Sequence, residues 1–299
     1  MSWIFLTAFY GLAKGARELL KKKALQRFSV TQVLVAYTLL SFLWVLPTLF
    51  IPALGGGLHR GGEGIFEVDW HILPYIAVKT LMVFGAWVFG FMAIDKMPVS
   101  LFGVLELSRV LFSTLLGVVF LRESVGGLQA LGLFLVCLGL FLLKKAGENP
   151  GSVQEQQEKS SYWLIVLAFL SCFLNASSGT IDKVLMRYVN SAQMQFWFML
   201  FISLFYFLYA LIRRMKWDWR LFFGNWYIPL LSLIFVLGDR AAFMANAVPE
   251  SKVTVMTLLK QCGCVLVILG GKVFFGEKNI GRKLLCAAVV IAGIVLSVL

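Results

Sequence analysis

Apolar residues run along this chain in long blocks, and short polar or glycine-rich stretches separate them. A helix crossing a lipid core needs roughly 20 mostly apolar residues, and blocks of about that size recur from one end to the other. The first covers Ser2 to about Leu20, with charges in its second half. The second, Val30–Ile51, carries no charge. A Gly-rich loop from Pro52 to about Asp69 precedes a third block, Ile72–Ile94, a fourth, Pro98–Leu121, and a fifth, Leu128–Leu143. After the polar stretch Lys144–Ser160 come Tyr162–Ile181, Ala192–Ile212, Trp226–Ala247, Val253–Phe275 and Leu284–Leu299. The pattern predicts an all-α integral membrane protein with ten transmembrane helices.

The polar stretch falls near the middle of the chain, and the blocks on either side correspond. The segment from Phe120, FLRESVGGLQALGLFLVCLGLFLL, matches that from Phe274, FFGEKNIGRKLLCAAVVIAGIVLS. Glu123 aligns with Glu277, Gly127 with Gly281 and Gly139 with Gly293, all at one offset. At the starts, Lys14, Gly15 and Glu18 face Ser178, Gly179 and Asp182. The division expected is a five-helix repeat over 1–145, a polar linker over 146–160 and a second repeat over 161–299. Five is odd, so the second copy enters the membrane from the opposite face. Inverted repeats of this kind characterise secondary transporters, whose binding site lies near the midplane between the copies.

Composition points the same way. Of 299 residues, 60% are hydrophobic and 14% charged, whereas a soluble domain carries about 25% charged residues. A soluble core of this length has no room for so many apolar side chains. The formal charge of +12 would suit nucleic acid, but Lys and Arg collect at block ends instead, as in Lys21–Lys23, Lys144–Lys145 and Arg213–Arg214. Basic residues there sit against lipid headgroups, so membrane lipids, not nucleic acid, are the expected partners. All five cysteines lie inside apolar blocks, which favours packing over disulfides or metal ligation. No nucleophile elbow, Walker loop or HExxH motif occurs, so neither an enzyme, a cofactor, a metal site nor ATP-driven pumping is expected. The apolar start, without a basic lead or cleavage site, reads as a retained helix.

The element Leu121-Arg122-Glu123 with Gly127, and its partner Phe275-Gly276-Glu277 with Gly281, resembles the EamA-like branch of the drug/metabolite transporter superfamily. The likeness extends over essentially the whole chain. It implies a carrier of small metabolites, often an exporter, that works by alternating access through a central cavity. It also implies a bacterial inner membrane as the setting. The first helix departs from the usual pattern in carrying Lys14, Arg17 and Glu18.

Ionisable residues inside a membrane span cost about 2.5–3.5 kcal/mol each on insertion scales, so they face a cavity or a partner. Seven stand out as candidate substrate-binding residues: Lys14, Lys79, Glu106, Arg109, Asp239, Arg240 and Lys260. Glu106 and Arg109 share a helix face and have a second reading as a self-neutralising pair. Lys14 has the same option with Glu18. Lys79 has the option of reaching toward the headgroups. Lys260 has no acid near it on its own helix, and alignment of the fourth and ninth blocks sets it opposite Arg109 or Glu106. Asp239 and Arg240 are adjacent and so point in different directions. Gly11 and Gly15 read as a close-packing seam, and Glu123 and Glu277 as anchors at helix ends. Five cations against two anions predict an anionic or zwitterionic substrate, such as an amino acid, organic acid or phosphorylated compound. Glu106 and Asp239 offer sites for a proton as coupling ion.

Two alternatives remain at this level: a membrane-embedded lipid-modifying enzyme, and a small multidrug or cation exporter. The two isolated histidines, His59 and His71, argue against the first. Orientation has two answers. The excess of Lys and Arg in loops reached after the first, third, fifth, seventh and ninth blocks places both termini outside the cytoplasm, whereas the resemblance implies termini inside it.

Overall fold

The computed structural model of the chain describes residues 2–49, 64–96, 102, 105–106, 108–147, 158–215, 224–275 and 280–298. Among the described residues the regular structure is helical throughout, with no β-strand. The helices are α1 Ser2–Leu25, α2 Val30–Val45, α3 Leu73–Lys96, α4 Ser108–Leu121, α5 Gly127–Gly147, α6 Glu158–Leu185, α7 Ser191–Ile212, α8 Tyr227–Ala247, α9 Val253–Leu259, α10 Gly263–Phe275 and α11 Ile280–Val298. Short 3-10 turns follow α2 at Leu46–Leu49 and join α9 to α10 at Lys260–Cys262. The Gly-rich loop up to residue 63, the start of the fourth block, the linker over 148–157 and the Glu277 element lie outside the described residues.

Among the described residues six segments are long and apolar enough to cross a membrane: Val30–Leu49, Leu73–Lys96, Tyr162–Leu185, Ser191–Ile212, Tyr227–Ala247 and Val253–Phe274. Three shorter apolar helices accompany them, at Ser108–Leu121, Gly127–Gly139 and Leu284–Leu296. The chain is thus a membrane protein. α1 has the length to span but carries Lys14, Arg17, Glu18 and Lys21–Lys23 along one half; Lys14 and Arg17 pair with acids elsewhere in the chain and Glu18 with Lys21 of α1 itself.

Helix starts are set by local side chains. Ser29 caps α2: its hydroxyl accepts the Gln32 N–H at 3.4 Å while Gln32 Oε1 accepts the Ser29 N–H at 3.0 Å. Asn190 and Gln193 repeat the device at α7, with Asn190 Oδ1 accepting from Ala192 and Gln193 and Gln193 Oε1 accepting the Asn190 N–H at 2.9 Å. Both are capping boxes, which satisfy donors that a helix start leaves open.

The ninth block is expected to be one helix but is broken in its middle. α1 lies so close there that a β-carbon on Gly11 would stand 2.6 Å from Cys262 Sγ and 3.0 Å from the Lys260 carbonyl. One on Gly15 would meet the Gly263 backbone, and one on Gly263 the Gly11 carbonyl. The small-residue seam of α1 therefore fits against the 3-10 turn. A second seam joins α5 to α11, where a β-carbon on Gly139 would lie 2.8 Å from Val290 Cγ2 and one on Gly293 2.7 Å from the Gly132 carbonyl. Elsewhere α1 packs along α8, α3 along α6, α4 against α6, and α2 against α7.

Glu123, just beyond α4, reaches the other half of the chain. Its carboxylate accepts the Val253 N–H at 2.6 Å, the Thr254 N–H at 3.1 Å and the Thr254 hydroxyl at 2.7 Å. It caps the start of α9, where the helix dipole favours an anion. Glu123→Ala is expected to cost about 1–2 kcal/mol, read as a lower unfolding midpoint in detergent. An unchanged midpoint would remove this capping role.

Candidate functional site

A cavity opens where α1 and α8 face α3 and α6, with Glu106, Arg109 and Lys260 closing the remaining side. About 90 Å³ of it is open to the centre of a water-sized sphere. One water needs about 10–15 Å³ on that measure, so this conformation holds several waters or a very small solute. The lining is dominated by charge. Six cations, Lys14, Arg17, Lys21, Lys79, Arg109 and Lys260, meet four carboxylates, Glu18, Glu106, Asp182 and Asp239.

Each carboxylate has a cation. Lys14 Nζ lies 3.0 Å from Glu106 Oε2, Arg17 3.7 Å from Asp239 Oδ1, Lys21 2.6 Å from Glu18 Oε1 and Lys79 2.7 Å from Asp182 Oδ1. Buried ions are retained at a cost of several kcal/mol each unless paired and hydrogen-bonded, which accounts for the matching. The intrahelical alternatives give way to these partners. Glu106 sits in the turn before α4, with only its carbonyl accepting the Arg109 N–H at 3.2 Å, and its carboxylate turns to Lys14. Glu18 goes to Lys21, not Lys14, because α1 aims Lys14 across the cavity.

Aromatic rings complete the pairs. Arg17 is 6% exposed and lies over Tyr10 at 5.4 Å and Phe235 at 4.9 Å. Lys79, 2% exposed, stands 3.8 Å from the Phe198 ring centre and 4.9 Å from that of Phe243. It is buried between rings and does not reach toward headgroups. Ring faces hold a desolvated cation by about 2 kcal/mol or more.

Subtracting the four pairs leaves two cations. Among the described residues neither Arg109 nor Lys260 has a carboxylate within 4.0 Å. Lys260 Nζ instead faces the Tyr10 ring at 5.1 Å. Its backbone is the first residue of the 3-10 turn, which carries it to the cavity in the middle of the ninth span.

Six of the seven residues singled out from sequence thus line one cavity. Arg240 does not line it: it lies one residue beyond Asp239 on α8 and reaches Gln195 Oε1 at 3.4 Å. Sequence reading missed Arg17, Glu18, Lys21 and Asp182 as cavity residues. The signal for Asp182 was present in its alignment with Glu18. Arg17, Glu18 and Lys21 lie late in the first block, next to the basic run at its end.

The profile of the EamA-like transporter family matches residues 1–144 and 162–299. The chain belongs to the EamA-like transporter family. That family is part of the drug/metabolite transporter superfamily, whose EamA-like members are membrane transporters of small molecules. A solved structure titled only "Crystal structure of protein" is similar in fold, with a TM-score of 0.65 at 15% identity over 99% of this chain and 93% of that one. No curated protein matches the chain.

Proposed function

We propose that this EamA-like protein is a secondary transporter, not an enzyme, that carries a small anionic or zwitterionic metabolite by alternating access through the α1–α3–α6–α8 cavity. The observation that carries this reading is the pair of cations, Arg109 and Lys260, left without a carboxylate in a lining where every acid is matched. A carboxylate or phosphate entering the cavity would compensate them with charge-assisted hydrogen bonds. A cationic solute would meet two uncompensated like charges, which disfavours the cation-exporter alternative.

The proposal includes two inverted five-helix repeats, over 1–145 and 161–299 with 146–160 between them. Exchange of partners supports it: α1 packs on α8 as α6 packs on α3, while α2 packs on α7 and α5 on α11. The ion pairs follow the same exchange, Arg17–Asp239 joining α1 to α8 and Lys79–Asp182 joining α6 to α3. With the offset that aligns Glu123 and Glu277, Lys260 corresponds to Glu106. Each half then contributes one central ionisable group, Glu106 from just before α4 and Lys260 from the 3-10 turn in the ninth span. Discontinuous helices near the midplane form sites in such transporters.

A proton, if it couples transport, would bind Asp239, held at 3.7 Å from its cation against 3.0 Å for Glu106. We place the protein in a bacterial inner membrane. The test is counterflow in liposomes with labelled organic anions, amino acids and phosphorylated metabolites. Arg109→Ala with Lys260→Ala is expected to cut anion uptake about a hundredfold or more, from the loss of about 1.5–3 kcal/mol per charged hydrogen bond. Uptake of an anion that the double variant leaves unchanged would sink the anionic site.

A further inference from the structure

Near each end of the cavity a lysine crosses from one wall to the other. Lys22, in the last turn of α1, donates from Nζ to the backbone carbonyls of Ile94 at 2.8 Å and Asp95 at 3.1 Å, at the end of α3. Lys183, in the last turn of α6, donates to the carbonyls of Asn246 at 3.1 Å and Val248 at 2.7 Å and to the Ser251 hydroxyl at 2.6 Å, at the end of α8. The last carbonyls of a helix lack intrahelical donors and carry the negative end of its dipole. Each lysine therefore binds a ready-made acceptor cluster on the opposing helix.

The two contacts lie at opposite ends. Asp182 and Lys183 are neighbours, and Asp182 pairs with Lys79 on α3. From Lys79 to Ile94 the helix rises about 22 Å, at 1.5 Å per residue. Ile94 and Asn246 are also the last residues of α3 and α8 to line the cavity. Away from these ends α1 makes little contact with α3, and α6 little with α8, whereas α1–α8 and α3–α6 pack along their lengths. The walls are thus α1 with α8 and α3 with α6, and the lysines tie one wall to the other.

We infer that Lys22 and Lys183 are the two gates of the transport cycle, each latching one end of the cavity shut. The inference rests on the transport reading. Release of Lys22 parts α1 from α3 and opens the cavity at that end. Release of Lys183 parts α6 from α8 and opens it at the other. With both latches made, the cavity is small, with about 90 Å³ open to the centre of a water-sized sphere. The latches join corresponding helix pairs, α1 to α3 in one half and α6 to α8 in the other, from different positions, since the alignment of Glu18 with Asp182 sets Lys22 opposite Met186. Neither lysine is among the residues that line the cavity with the cations proposed to hold the solute, which separates gating from binding.

The test is a pair of distance measurements by pulsed electron resonance on the full chain in liposomes, with the native cysteines replaced by alanine. Spin labels at the exposed positions Gln26 and Lys96 report the α1–α3 end, and labels at Tyr188 and Glu250 the α6–α8 end. Lys22→Met is expected to raise the ratio of long to short distances at the first end about tenfold, the order of one lost charge-assisted contact, and to leave the second unchanged or more closed. Lys183→Met is expected to do the reverse, and Lys→Arg at either site to restore the short distance. Lys183→Gln serves where the methionine variant does not fold. Unmoved distances, or both variants opening the same end, would overturn the gates. Counterflow on the same samples separates the readings. Unmoved distances in a protein that transports overturn the gates alone, and in a protein that carries no solute they overturn the transport reading as well.

Discussion

Lys79→Ala is expected to lower stability by about 3–5 kcal/mol, the loss typical of stripping one partner from a buried ion pair. Lys79 is 2% exposed, 2.7 Å from Asp182, and enclosed by the Phe198 and Phe243 rings. Removing it strands the Asp182 carboxylate and leaves a hole between two aromatic rings, so electrostatic and packing losses add. The unfolding midpoint, followed by tryptophan fluorescence in detergent, should fall by about 10 °C. The double variant Lys79→Met with Asp182→Leu should recover more than half of that loss, since well-packed apolar residues often replace buried ion pairs at little cost. A single-variant loss below about 1 kcal/mol would mean that the pair behaves as a solvent-exposed one. The same comparison on transport separates structure from binding. Recovery of both stability and counterflow in the double variant would leave Lys79 outside the solute site, and recovery of stability alone would place it inside.

The parts of this protein that repeat every helix were legible in sequence, and the parts that depend on which helix meets which were not. Each described helix overlaps one of the apolar blocks, because lipid demands a fixed length of apolar chain regardless of neighbours, but the ninth block holds two helices where one was expected. Lys14, Lys79, Glu106, Arg109, Asp239 and Lys260 were visible as cavity residues because a charge in an apolar block has few places to go. Their partners were not visible. Arg17 and Asp239 are 222 positions apart, and only the packing of α1 along α8 brings them to 3.7 Å. Arg240 is ionisable and stands in the same block beside Asp239, yet it faces Gln195 because one residue rotates a helix by about 100°. The break at Lys260–Cys262 has no proline to announce it, only the polar pair Lys260 and Gln261 inside an otherwise apolar span. Gly11 and Gly15 announced close packing without saying against what. The 3-10 turn supplies the answer, and it becomes readable only once α1 and the ninth span are known to touch.

That contact sets the most severe substitution expected in the chain. Gly263→Val should abolish counterflow while leaving much of the protein folded. A β-carbon at Gly263 meets the Gly11 carbonyl oxygen, a backbone atom that yields only if α1 moves as a whole. Overpacking of this sort costs about 1–3 kcal/mol when side chains adjust, and here none is available to adjust. Moving α1 away from the turn shifts Tyr10 from Lys260, whose Nζ lies 5.1 Å from its ring, and draws Lys14 from Glu106. Gly11→Ala provides a graded comparison. Its nearest obstacle is the Cys262 side chain at 2.6 Å, so adding Cys262→Ala should restore part of the lost stability and transport. No substitution of a neighbouring side chain should do so for Gly263→Val, because its obstacle is main chain. Counterflow and unfolding midpoints on these three proteins decide the matter. Wild-type transport in Gly263→Val would show that the site tolerates displacement of the turn, and the proposed role of Lys260 would fall with it.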